Sequence, residues 1–271
     1  MRPKITATQV AAGLVGAVTL GLVLAGASRA AIPAVGVWLM DEGSGETATD
    51  ATGNGNDGLL IGGAFVKEGK FGGALEFNGI EGHAIFNLEA QKPEHAFIFH
   101  RPGGAPDSTC MFWVRTFDVP HAAILWTRED GADKDRYNIY AGPGEVFGVD
   151  YREPGGEHHG LASTQDFPVD VWNHVALVRT ENITYTLYVN GVNIKSGTDV
   201  NPVLPETPVW MIAGRPGFIY DGLVDEVAFF DDALSEDEVN AIMETGLEVA
   251  VLSVSPKGKV TTAWGLIKRR Q

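Results

Sequence analysis

ATDATGNGNDGLLIGG, Ala48 to Gly63, fits three loop patterns at once. Gly53-x-Gly55-x-x-Gly58 spells the G-x-G-x-x-G of a dinucleotide loop. Asp50, Thr52, Asn54 and Gly55 read as the first half of a calcium-binding helix-loop-helix. The same residues also spell plain Asn/Gly/Asp turn chemistry. A dinucleotide loop follows a buried parallel strand and opens a helix whose N-terminus holds the pyrophosphate. Here polar ETATDAT comes before, and the short strand-like LLIGG comes after. The helix-loop-helix needs a bidentate Glu at its twelfth position, and Ile61 stands there. What remains is a tight, oxygen-rich turn leading into a strand.

Outward from this turn the same grammar repeats. VGVWLM, ALEFNG, CMFWVRT, AAILWT, RYNIYAG, EVFGVDY, WNHVALVRT, ITYTLYVNG and PVWMIAG are short β-like runs. Thirty-four glycines and fourteen prolines punctuate the chain. Strands at this spacing predict an all-β, two-sheet antiparallel sandwich or jelly roll. Asn190-Gly191, inside TYTLYVNGVNIKSG, predicts a type I′ hairpin turn. One short C-terminal helix is expected in LSEDEVNAIMETG. Ser235 and Glu238 form a capping box, Val239, Ile242 and Met243 share a face, and Gly246 follows the end. The helix reads as a lid on the open end of the sandwich.

Residues 1–30 read as a secretory signal peptide. Arg2 and Lys4 open it, Val10 to Ala25 is an uncharged apolar run, and Ser28-Arg29-Ala30 closes it. The run is shorter than the ~20 residues of a spanning helix, so no membrane span is expected after cleavage. Residues 31–247 are expected to form the sandwich, and 248–271 a basic tail with Lys257, Lys259, Lys268, Arg269 and Arg270. Without residues 1–30 the chain has 17 bases against 35 acids, a net charge of −18. A surface so acidic repels nucleic acid and anionic lipid and suits an exported protein, secreted, extracellular or periplasmic. Cys110 is the sole cysteine, so no intrachain disulfide forms, and it is expected to be a small buried hydrophobe.

The opening VWLMDEGSGETATDATGNGNDGLLIGGAFVKEGKFGGALEFNGIEGHAIF resembles laminin G-like domains of the concanavalin A-like lectin/glucanase superfamily. Trp38, Asp41, Glu42, Gly43, Asp50, Gly53, Asn54, Asn56, Gly58, Gly73, Ala74, Leu75, Phe77 and Gly79 carry the match. VWNHVALVR, LYVNGV and YDGLVDEVAFFDDALSEDEVNAI, with Trp172, His174, Gly222, Asp225, Glu226, Leu234 and Ser235, carry it at the close. The resemblance implies a jelly roll of two curved sheets. It also implies a structural Ca2+ where an early loop meets the last strand, with Asp50, Asn54 and Asp225 as candidate ligands. Strand alternation places Leu223, Asp225 and Val227 on one face, so the Asp225 carboxylate requires a partner: a metal, an Arg or backbone amides of the turn.

The same superfamily contains β-glucan hydrolases, whose carboxylate pair is spelled E-x-D-x-x-E. Glu145, Asp150 and Glu153 come nearest, with the wrong spacing. No G-x-S-x-G is present, and the neighbours His158 and His159 of EHHG alternate faces on a strand. A non-catalytic module is therefore expected. Lectin-like sandwiches hold sugars on aromatic faces with polar side chains at the hydroxyls. Trp126, Arg128, Arg136, Tyr137, Tyr151 and His159 are the candidate carbohydrate-binding residues, with Tyr137 and Trp126 stacking on a ring and Tyr140 and Phe147 packing. The expected partner is a glycan or a cell-surface or matrix component, and not nucleic acid. A structural or adhesive spacer is the alternative, and a β-glucan hydrolase the third reading.

Overall fold

The structure, a computed structural model, describes residues 34–80, 82–86, 107–118, 122–128, 137–142, 146–152, 158–162, 167–180, 184–198, 209–215 and 218–252. By compactness the chain divides into Met1–Ala30 and Ala31–Gln271. The expected signal segment, the tail beyond Leu252 and Arg136 lie outside the described residues.

The strands in chain order are β1 (Ala34–Trp38), β2 (Thr47–Ala48), β3 (Gly58–Ile61), β4 (Ala64–Val66), β5 (Ala74–Asn78) and β6 (His83–Phe86). There follow β7 (Ser108–Thr116), β8 (Ala122–Arg128), β9 (Tyr137–Gly142), β10 (Val146–Arg152), β11 (His158–Ala162) and β12 (Trp172–Arg179). The last are β13 (Thr184–Val189), β14 (Val192–Thr198), β15 (Val209–Ile212), β16 (Gly214–Arg215), β17 (Phe218–Ile219) and β18 (Asp221–Phe230). They form two eight-stranded sheets and a small ribbon of β16 and β17. The first sheet runs β14-β13-β12-β7-β18-β5-β4, with β1 also on β18. The second runs β11-β10-β9-β8-β15-β6-β3-β2. All pairings are antiparallel, as expected for a jelly-roll sandwich.

The inner faces meet in one apolar layer that includes Trp38, Leu75, Phe77, Phe112, Leu125, Ile139, Phe147, Val149, Leu177, Leu187, Val224 and Phe229. Trp38 meets Phe229 edge to face at 5.8 Å, and its Nε1 donates to the Asn56 carbonyl at 2.9 Å. Cys110 is buried in the same layer, as expected.

The first sheet is apolar on its outer face too. Val37, Met111, Ala176, Val178, Tyr188, Ala228 and Phe230 face away from the core and need a second cover. Helix α1 (Glu236–Thr245) supplies it with Val239 and Ile242. It is thus a cover on a sheet face, and not the lid on the sandwich end that its sequence suggested. The helix pattern shows which side is apolar but not which surface receives it. Its capping box is present, Ser235 Oγ accepting from Glu238 N. A π-helical turn, Glu248–Leu252, continues the cover with buried Val251.

The opening stretch is the β2–β3 hairpin, not a phosphate loop. Asn190 and Gly191 take φ 50° and 78°, as a type I′ turn requires. There the Asn190 side chain accepts from His174 N and donates to Asn173 Oδ1, tying turn to strand.

Candidate binding face

The outer face of the second sheet differs from that of the first. Leu59 and Ile61 on it are 51% and 42% exposed. Its register forms one continuous row across all eight strands: Thr47, Leu59, Ile85, Met211, Trp126, Asn138, Asp150, Gly160. The row is apolar at one end, aromatic in the middle and polar at the other. The neighbouring row is Ala123, Tyr140, Gly148, Ala162.

These rows follow from strand alternation. Ile139, Val149 and Leu161 pair directly and pack inward, so their neighbours point outward. Tyr140 and Gly148 are opposite each other, and a Cβ on Gly148 would collide with the Tyr140 ring at Cζ and the hydroxyl. The glycine therefore lets the ring lie down on the sheet, a close approach that only a missing side chain permits. Tyr140 stays half-buried, and Gly160 and Ala162 beside it are exposed. Burial, and then the negative charge of Asp150, push the Tyr140 phenol above its usual range, so it stays a neutral donor and acceptor. Asn138 is 1% exposed and its Oδ1 has no hydrogen-bond partner. A buried amide oxygen without a donor costs about 1–3 kcal/mol, which a hydroxyl brought by a ligand would relieve.

Of the six residues expected to bind sugar, the five in described strands fall in three register rows. Trp126 pairs with Asn138, and Arg128 with Val209. Tyr137, Tyr151 and His159 pair in one row. Arg136 lies outside the described residues. Asn138 and Asp150, not among the six, stand on the outer face beside Tyr140, which was expected to pack and does lie against Gly148. The signal was in the sequence: Asn-x-Tyr around Ile139 and Gly-x-Asp around Val149 alternate against core residues. Phe147 does pack, stacked on Phe167 at 3.8 Å. His158 and His159 are adjacent on β11. Of the three acids weighed for catalysis, Glu145 and Glu153 lie outside the described residues, and Asp150 sits on the outer face.

The three candidate calcium ligands are held by separate hydrogen bonds. Asp50 Oδ1 accepts from Val37 N at 3.2 Å, Thr52 N at 3.0 Å and Thr52 Oγ1 at 2.7 Å, and Oδ2 accepts from Asn56 N at 3.1 Å. Asn54 Nδ2 donates to the carbonyls of Ala34 and Val35. Both residues thus fasten the β2–β3 turn to β1. Asp225 is fully buried, and its Oδ2 accepts from Lys70 N at 2.8 Å and Phe71 N at 3.0 Å. Four N–H and O–H donors, from Val37, Thr52 and Asn56, are aimed at the Asp50 carboxylate. Among the described residues no three His, Cys, Asp or Glu side chains gather where one ion could bind them. Asp50 and Asn54 are thus engaged within the chain, while Asp225 Oδ1 is buried without a hydrogen-bond partner among the described residues.

The strand alternation holds from Leu223 to Asp225 and breaks just after. The β18–β7 register slips between Asp225 and Ala228, where Glu226 takes φ 52°. Asp225 lies on the outer face opposite Trp113, and Val227 joins the core. Burial pushes Asp225 up to about 8 and Glu226 up to about 7. Glu226 Oε2 accepts from Leu247 N and so ties β18 to the end of α1. His174, opposite Trp113, is held neutral: burial and then the charge of Lys70 lower it to about 3.

A laminin G-type family model, described as the concanavalin A-like lectin/glucanases superfamily, matches residues 101–240. The chain belongs to this superfamily. Among solved structures, this lectin/glucanase-type sandwich is similar to domain 4 of AbnA, a GH43 extracellular arabinanase from Geobacillus stearothermophilus, in complex with arabinotriose. The TM-score is 0.62 at 18% identity, over 79% of this chain and 99% of that one. It is also similar to the receptor binding domain of botulinum neurotoxin C/D mosaic serotype, with TM-score 0.62 at 13% identity over 79% and 51% of the chains. The binding domain of Paraclostridial Mosquitocidal Protein 1 gives TM-score 0.59 at 17% identity over 78% and 51%. The chain thus spans about half the length of these last two. At these identities the likeness establishes the shared fold. No curated protein matches the sequence. No helix among the described residues is long and apolar enough to cross a membrane.

Proposed function

We propose that this protein is an exported, non-catalytic module that binds a neutral glycan on the outer face of its second sheet. The observation that carries the reading is the Tyr140 ring laid over Gly148, beside Asp150 and the unpartnered Asn138 Oδ1. A flat aromatic ring offers apolar surface to the C–H face of a sugar. The amide and carboxylate next to it accept from hydroxyls, and the floor of Gly148, Gly160 and Ala162 leaves room. Trp126 is in register with Asn138 on the neighbouring strand. The arabinotriose complex of the similar AbnA domain supports a sugar as the ligand class. Export rests on the sequence of residues 1–30. No calcium enters the proposal, because Asp50 and Asn54 are engaged elsewhere.

An array of neutral oligosaccharides that includes arabinotriose tests it. Wild type is expected to bind at least one glycan class, and Tyr140→Ala to lose at least about tenfold in affinity, about 1.4 kcal/mol. A wild-type protein that binds no glycan leaves the adhesive-spacer reading in its place.

A further inference from the structure

Arg179 is the last residue of β12 and is fully buried, yet none of its three guanidinium nitrogens has a hydrogen-bond partner among the described residues. The register sets it directly between Ser108, the first residue of β7, and Tyr185, the second of β13. All three follow the inward parity of Cys110, Leu177 and Leu187. The guanidinium lies 5.3 Å from the centroid of the Tyr185 ring. The Ser108 hydroxyl is also buried and without a partner.

Arginine keeps its proton inside proteins, so burial cannot be relieved by neutralising it. A ring face attracts the cation but accepts none of its five N–H donors. An unpaired buried charge is strongly unfavourable unless an anion joins it. The donors in place are a planar fork and a hydroxyl one strand away. They match a group with two coplanar oxygens, which the fork grips in bidentate fashion while the hydroxyl takes an edge. Three strand ends meet here, so the place lies at an end of the sandwich, where strands give way to connections.

We propose that Arg179 and Ser108 form an internal oxyanion site that takes the carboxylate, sulfate or phosphate group of a small ligand. This site is separate from the glycan face and does not depend on it.

The test is thermal unfolding of the whole protein at fixed ionic strength, with chloride replaced stepwise by acetate, sulfate or phosphate in the low millimolar range. At least one anion is expected to raise the melting temperature along a saturating curve, by about 5 °C at a hundredfold excess over its Kd. Ser108→Ala should move the midpoint of that curve to roughly fivefold higher concentration, as the loss of one neutral hydrogen bond implies. Arg179→Met should abolish the response. If Arg179→Met does not fold, wild type and Ser108→Ala decide the matter. A flat or non-saturating response in wild type, or an unchanged midpoint in Ser108→Ala, overturns the proposal and assigns the counter-charge to the chain itself.

Discussion

Asp225 and Glu226 are adjacent buried acids with different anchors. The first accepts from the backbone of residues 70 and 71, the second from Leu247 N. Burial raises both above their ordinary values of 3.8 and 4.5, to about 8 and about 7. A carboxyl raised in the fold contributes stability that is complete below its unfolded pKa and is lost as pH rises through its folded one. Stability should therefore fall from about pH 4 to pH 8, by at most about 1.4 kcal/mol per pH unit for each group titrating. Above pH 7 Asp225 alone of the pair still contributes. Urea unfolding at pH 7.0 and 8.0 should show wild type losing stability and Asp225→Asn losing much less. An equal loss in both proteins would place the titration elsewhere. Asp225 keeps the face it shares with Leu223; the inward turn of Val227 was not legible, because strand alternation assumes an unbroken ladder and the slip at Glu226 inserts one residue.

Helix α1 illustrates what can be read of an element. Its start, cap and apolar side were legible from Ser235, Glu238, Val239 and Ile242, and the structure has them as read. Its position depended on the outer face of a sheet whose strands are far apart in sequence: Met111, Ala176 and Phe230. Ser235→Ala removes the acceptor for Glu238 N and should cost about 1 kcal/mol, or about 2–4 °C of melting temperature. Sugar affinity should be unchanged, because α1 covers the other sheet. A Tm equal to wild type would mean that packing alone holds the helix start. Strands β9, β10 and β11 repeat the lesson. Each of β9, β10 and β11 was visible alone, yet the six chosen residues were grouped by proximity in sequence. Alternation within a strand, applied around the core residues Ile139 and Val149, places Asn138, Tyr140, Gly148 and Asp150 on the outer face.

For the whole molecule, the first sheet is covered on both faces and the second exposes Leu59, Ile61, Gly160 and Ala162 on its outer side. That asymmetry is what supports the proposed binding on the second sheet. The sandwich itself was legible because alternation and turn residues repeat along the chain. The pairing of distant strands was not, since register is a long-range property. The β2–β3 turn is fastened to β1 by hydrogen bonds from Val37, Asn54 and Asn56. Its stability should therefore need no cation: EDTA should leave the melting temperature within about 1 °C, where loss of a tightly bound ion would lower it by several degrees. A chelator-dependent drop reversed by calcium would restore the metal reading.

The most direct measurement is amide chemical-shift mapping by NMR during titration with the glycan that binds best on the array. The account predicts that the shifted amides cluster at Asn138–Tyr140, Gly148–Asp150 and Gly160, and that Gly148→Val, which displaces the Tyr140 ring, removes them while the protein stays folded. Shifts centred on the β2–β3 turn or on the first sheet, with the Tyr140 region silent, would contradict it.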